Sequence, residues 1–270
     1  MKHIGDDFIY ILYLSIGLIA STLGAIAGLG GGVIIKPVLD LFGHFDLPTI
    51  GVLSAATVLA MAAASLIKMR KKELEIDKTA SSFIAGGSIL GGITGKSIFN
   101  LIAISLEIPA ITAIIQSSIL AVLLSLIFIY FKRKHQIRSY ILKNKLGIIS
   151  VGFLLGFLSA FLGIGGGPLN VAVLCLLFSM SAKNAGINSI FIIFFSQLSA
   201  LLLIAFSSGF EGYNLNMLYL MIPGGIAGGI IGSEIVIKLS DSQVERIFSI
   251  SIILIIIINV FNIVKVALIH

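Results

Sequence analysis

A chain of 270 residues in which 58% are apolar and only 11% charged, with a mean hydropathy of +1.14, sits far from the roughly 25% charge of soluble domains. It reads as a polytopic integral membrane protein, with no soluble domain left over once spans and short connections are assigned. The net charge of +6 is not a nucleic-acid signal, because the Lys and Arg residues cluster in two loops and so report topology, and the lone Cys175 excludes an intramolecular disulfide.

Residues 8–27 form the first apolar segment, close to the ~20 residues that cross a hydrocarbon core. Ala25-Ile26-Ala27 resembles a small-x-small cleavage site, but Asp6, Asp7 and the glycines that follow at once argue against a signal peptide. Gly28-Leu29-Gly30-Gly31-Gly32 breaks the helix, since each glycine costs about 1 kcal/mol relative to alanine. Residues 33–42 make a second segment, too short to cross comfortably alone. After the turn Gly43-His44-Phe45-Asp46-Leu47-Pro48, residues 49–67 form the third. It ends in Lys68-Met69-Arg70-Lys71-Lys72, cytoplasmic by the positive-inside rule. Residues 79–99 are the fourth segment, with Gly87, Gly91 and Gly95 spaced as a small-residue packing face. Residues 109–131 are the fifth, leading into Lys132-Arg133-Lys134-His135 with Arg138, Lys143 and Lys145 beyond, also cytoplasmic.

The second half repeats the first. Residues 146–162, 168–180, 184–206, 215–237 and 244–268 match the five segments, and Gly163-Ile164-Gly165-Gly166-Gly167 returns the glycine run at a shift of 135. At that shift Gly17 falls on Gly152, Gly51 on Gly186 and Ser54 on Ser189, while Gly91, Gly92 and Gly95 match Gly228, Gly229 and Gly232 at a shift of 137. The organisation expected is an all-α membrane protein of two repeats, 1–131 and 146–270, joined by a basic cytoplasmic linker, 132–145. The loop Ser207-Ser208-Gly209-Phe210-Glu211-Gly212 has no Lys or Arg and reads as external, so three segments after Lys145 cross an odd number of times. The matching segments of the first half end inside at Lys68, which gives the two repeats opposite topologies. Lys183, Lys238 and Arg246 then fall inside and the turn at 43–48 outside. Hydropathy leaves two readings open, ten crossing segments or six full spans with two re-entrant hairpins.

Broken helices in inverted repeats place a substrate near the midplane, where each restarted helix aims an N-terminus and free N–H groups at an anion. The candidate substrate-binding residues are therefore Gly30, Gly31, Gly32, Gly165, Gly166 and Gly167, with Lys36, Asn170, Ser54, Asn188 and Ser189. Lys36 lies one turn into the restarted helix, and a charge at that depth costs about 2.5–3.5 kcal/mol and faces a polar cavity. The plainer alternatives are that Lys36 snorkels or pairs with Asp40, that Asn170 makes a helix–helix hydrogen bond, and that the serines back-bond to their own helices. Gln116, Ser196 and Gln197 read as packing polars. His3, His44, His135 and His270 all fall in loops or termini, so no catalytic or metal cluster forms, no enzyme is expected and no cofactor is needed. A proton relay would fall on Asp40 or Glu234.

The run Ala-Ile-Ala-Gly-Leu-Gly-Gly-Gly-Val-Ile-Ile-Lys-Pro from Ala25 to Pro37, and its copy at 159–173, resemble the doubled glycine signature of the TauE/SafE sulfite and sulfonate exporter family. Ile50-Gly51-Val52-Leu53-Ser54 and Ala185-Gly186-Ile187-Asn188-Ser189 resemble its A-x-G-T-S element. Lys36 stands where the family usually has an aliphatic residue, Ala172 where the second copy has proline, and Leu53 and Asn188 where it has threonine. The resemblance implies export of small sulfur-containing anions across the bacterial cytoplasmic membrane by a multi-pass protein in contact with lipid. A coupling proton or ion and a homodimer are left open. A passive anion channel and a non-transporting assembly module are the competing readings.

Overall fold

A computed structural model of the protein describes residues 2–70, 78–102 and 109–269. Ten α-helices run through them: α1 (Lys2–Ala27), α2 (Gly32–Phe42), α3 (Leu47–Arg70), α4 (Lys78–Asn100), α5 (Pro109–Arg133), α6 (Lys145–Leu162), α7 (Gly167–Phe178), α8 (Ala182–Ser207), α9 (Leu218–Lys238) and α10 (Asp241–Ile269). Lys71 and Lys72 of the first basic loop, and Glu107 in the connection before α5, lie outside the described residues. Among the described residues, seven helices are long and apolar enough to cross a membrane, α1 and α6 among them. The 11 residues of α2 and 12 of α7 reach only about 16–18 Å at 1.5 Å per residue, half of a ~30 Å hydrocarbon core.

The glycine-broken pairs return towards the side they came from. The Tyr13 hydroxyl on α1 lies 2.8 Å from His44 Nδ1, just beyond the end of α2. In the second half, the Tyr140 and Leu142 amides, ahead of α6, donate to the Leu176 and Leu177 carbonyls at the end of α7. Each pair is thus a hairpin with its glycines at the tip.

Small residues let the long helices touch backbone to backbone. A Cβ on Gly224 would lie 2.7 Å from the Leu14 carbonyl oxygen, one on Gly228 2.5 Å from that of Leu18, and one on Gly232 2.5 Å from that of Thr22. The constant register makes α1 and α9 parallel. The predicted packing face of α4 does the same work: Gly87, Gly91 and Gly95 sit on Ile149, Phe153 and Phe157 of α6, while Gly152 and Gly156 of α6 sit on Ile84 and Ser88. Gly225 and Gly229 of α9 also rest on Thr57 and Met61 of α3, in the same sense. Contact pairs come in counterparts, α1 with α9 as α6 with α4, and α3 with α9 as α8 with α4.

Charge gathers at one face. Lys68 at the end of α3 pairs with Glu234, Lys134 just past α5 pairs with Glu245, and the Lys183 ammonium at the start of α8 donates to the Ile237 and Leu239 carbonyls at the end of α9. So α3, α5 and α9 end, and α8 and α10 begin, together. Around the belt, Leu126, Phe206, Leu254 and Ile257 are exposed apolar side chains, a surface suited to lipid. Polar side chains such as Lys36, Ser54, Gln116, Asn170, Ser189 and Gln197 are buried inside it.

Candidate functional site at the meeting of two glycine turns

Both tips adopt one backbone conformation. Gly28, Gly30 and Gly31 have φ of 70°, 79° and 68°, and the matching Gly163, Gly165 and Gly166 have 66°, 75° and 75°. This left-handed region costs other residues about 1–2 kcal/mol each. Gly31 and Gly166 then cap α2 and α7, neither of which has a side-chain cap; the Gly32 amide donates to the Gly30 carbonyl at 2.7 Å and the Ile34 amide to that of Gly31 at 2.9 Å, while Pro168 at the start of α7 has no N–H.

The tips abut. The Cα of Gly167 rests against the Leu29 backbone, with no room for a side chain, and a Cβ on Gly32 would lie 3.0 Å from the Ile164 carbonyl oxygen and 3.0 Å from Ser54 Oγ. Gly28 rests equally closely on Gly186 of α8. Ser189 fastens both tips, its hydroxyl donating to the Gly28 carbonyl at 2.7 Å and lying 3.4 Å from that of Gly167. Above them Ile193 covers Gly30, while Val58, its counterpart on α3, lies near Gly165 beside Gln197.

Lys36 reaches from the first half into the second. Its ammonium donates to the Leu162 carbonyl at 2.5 Å and to Gln116 Oε1 at 2.5 Å, and Gln116 Nε2 donates to the Phe161 carbonyl at 2.5 Å. Those carbonyls end α6, where the last four of a helix lack intrahelical partners and a cation is favourable. Asp40 shares a small cavity with Lys36, Gln116, Ser117 and Asn259, but the two charges form no ion pair among the described residues. Gln116, expected only to pack, is therefore a partner of the central lysine. A mid-span amide was its signal.

The other candidates divide. Asn170 is buried with its Oδ1 3.5 Å from where Gly166 would carry a Cβ, so it stands at the second tip. Asn188 faces α4, accepting from the Ser81 hydroxyl at 2.6 Å and donating to its own helix at Asn184.

A second cavity, of about 30 Å³, is lined by Gly51, Lys96, Ser159, Gly163 and Gln197 among others. One water needs roughly 10–15 Å³ on the same measure. Lys96 was not singled out from sequence, although a cation inside a glycine-rich apolar segment carried the same signal as Lys36.

An all-helical bundle with two broken hairpins tip to tip around buried cations defines a polytopic membrane transporter. Residues 13–259 match the family described as Sulfite exporter TauE/SafE, and the chain belongs to that family. It is 29% identical over 272 residues to the probable membrane transporter protein YunE of Bacillus subtilis (strain 168), covering 91% of this chain and 95% of the relative. It is 26% identical over 215 residues to the probable membrane transporter protein MJ0441 of Methanocaldococcus jannaschii, covering 78% of each. No solved structure matches it.

Proposed function

We propose that the protein moves a small sulfur-containing anion, sulfite, thiosulfate or a sulfonate, out of the cell by alternating access, with the joined glycine tips as its binding site. Two inverted repeats, 1–131 and 146–270, would rock against each other about those tips. The opposed ends of matched helices support this: α3 ends on the charged face where α8 begins, and α5 ends where α10 begins. By the positive-inside rule that face is cytoplasmic.

The observation that carries the reading is the contact of Gly32 with Ile164 and of Gly167 with Leu29, which brings two helix N-termini to one point. Each behaves as about half a positive charge set against the carbonyl ends of α1 and α6 at the same tips, and the Lys36 ammonium adds a cation beside them. Oxygen-rich anions suit such a place because helix N-termini and a cation together satisfy several oxygens at once. Of the candidate residues, Gly30, Gly31, Lys36, Ser54, Gly165, Gly166 and Asn170 surround the tips, whereas Ser189 and Asn188 hold the helices that position them.

Labelled sulfite flux in proteoliposomes tests the reading. Wild type should give slow, saturable flux, and Lys36→Ala should lower it by about tenfold or more, the worth of one charge-assisted hydrogen bond. Equal rates would remove Lys36 from the site. Large unsaturated conductance in planar bilayers would instead support a channel, and no flux of any sulfur oxyanion would end the transport reading.

A further inference from the structure

A cleft of about 770 Å³ lies well away from the glycine tips, at the charged face where α5 ends and α10 begins. Its lining changes character with depth: Phe131 is buried and Phe128 half-buried, whereas Lys132 and Arg246 at the rim are exposed. The other charged groups of the cleft are Lys134, Asp241 and Glu245. Three cations and two carboxylates leave one positive charge in surplus.

The two carboxylates are already engaged. Glu245 pairs with Lys134, whose ammonium also lies 5.6 Å from the Phe131 ring, and Asp241 accepts from the Lys183 amide at 3.3 Å. Lys132 and Arg246 form no ion pair or hydrogen bond among the described residues. The carbonyl end of α5 and the amide end of α10 meet here with opposite partial charges, so side chains rather than helix ends set the sign of the cleft.

Below each unpaired cation runs a bare apolar stripe. On α5, Ile129 and Val122 stand three and ten residues before Lys132 on one side of the helix, 50% and 60% exposed. On α10, Ile250, Ile253 and Ile257 follow Arg246 at four, seven and eleven residues, again one side, and Ile257 is 60% exposed. Eleven residues at 1.5 Å each cover about 16 Å, the depth of one leaflet of a ~30 Å hydrocarbon core. A small soluble anion would meet the cations and leave both stripes bare, whereas a phospholipid covers the stripes with its chains and the cations with its phosphate.

We propose that this cleft binds an anionic phospholipid, its phosphate between Lys132 and Arg246 and its chains along the exposed isoleucines of α5 and α10. Basic pockets between helices at a membrane face suit such headgroups. Because α5 and α10 come from different halves of the chain, one bound lipid spans both. The site is independent of what the protein transports.

The test is native mass spectrometry of the full-length protein in neutral detergent, titrated with dioleoylphosphatidylglycerol, which is anionic, and dioleoylphosphatidylcholine, which is zwitterionic. Wild type should bind the anionic lipid about tenfold more tightly or better. Lys132→Gln and Arg246→Gln should each weaken it about fivefold, the worth of one cation beside an anionic headgroup, and the double variant about 25-fold. Both side chains are exposed and unpartnered, so these variants should melt as wild type. Lys238→Gln, exposed on the same face but outside the cleft, should leave binding unchanged, and glycerol 3-phosphate at the lipid's concentration should not displace it. Equal affinity for the two lipids, or an equal loss from Lys238→Gln, overturns the site. Displacement by glycerol 3-phosphate overturns the lipid as its occupant and makes the cleft a site for soluble phosphates.

Discussion

Lys36 and Gln116 hold one another and the end of α6, and this joint task separates them from ordinary packing residues. Gln116→Leu strips the partner from the Phe161 carbonyl and one acceptor from the Lys36 ammonium, so it should destabilise the protein by about 1–3 kcal/mol in detergent unfolding. A melting temperature equal to wild type would show that these carbonyls are satisfied some other way. Ser189→Ala should cost about 1 kcal/mol and loosen both tips, because one hydroxyl serves the two of them. Lys36 was legible in the sequence because a charge beside a glycine break is conspicuous. Its attachment to Leu162, 126 residues away, was not, since no periodicity reports which distant carbonyl lies in reach. Lys96 escaped because it stands far along the chain from both glycine breaks.

At the scale of helices, the breaks and boundaries were readable because glycine and proline act locally. Residues 33–42 and 168–180 became α2 and α7 within a residue or two. Which helices pair was a different matter: the four-residue glycine spacing announced that something would pack closely on α4, but α6 as its partner depends on the folded arrangement of both halves. The tips themselves make a sharp prediction. Gly28→Ala forces a Cβ into the Gly186 backbone and a positive φ on alanine, so beyond the ~1–2 kcal/mol of strain the two backbones must part. Size-exclusion chromatography should show little folded protein, whereas Gly212→Ala, with open space around it, should elute as wild type. Equal yields would mean that the tips are not in contact.

For the whole molecule, sidedness is the property to test. The turn after α2 and the loop after α8 both lie away from the face that collects Lys68, Lys134 and Lys183. With Cys175 replaced by alanine, cysteines at Asp46 and at Glu211 should both be labelled by a membrane-impermeant maleimide from the same side, and one at Lys238 from the other. Labelling of Asp46→Cys and Glu211→Cys from opposite sides would end the inverted arrangement.

The seam between α1 and α9 also sets a timetable. Leu14 meets Gly224 only after roughly 200 further residues have left the ribosome, about 10–40 s at ordinary elongation rates. Throughout that interval the first helix rests in the bilayer without α9 beside it, and the newborn protein closes last at the place where it began.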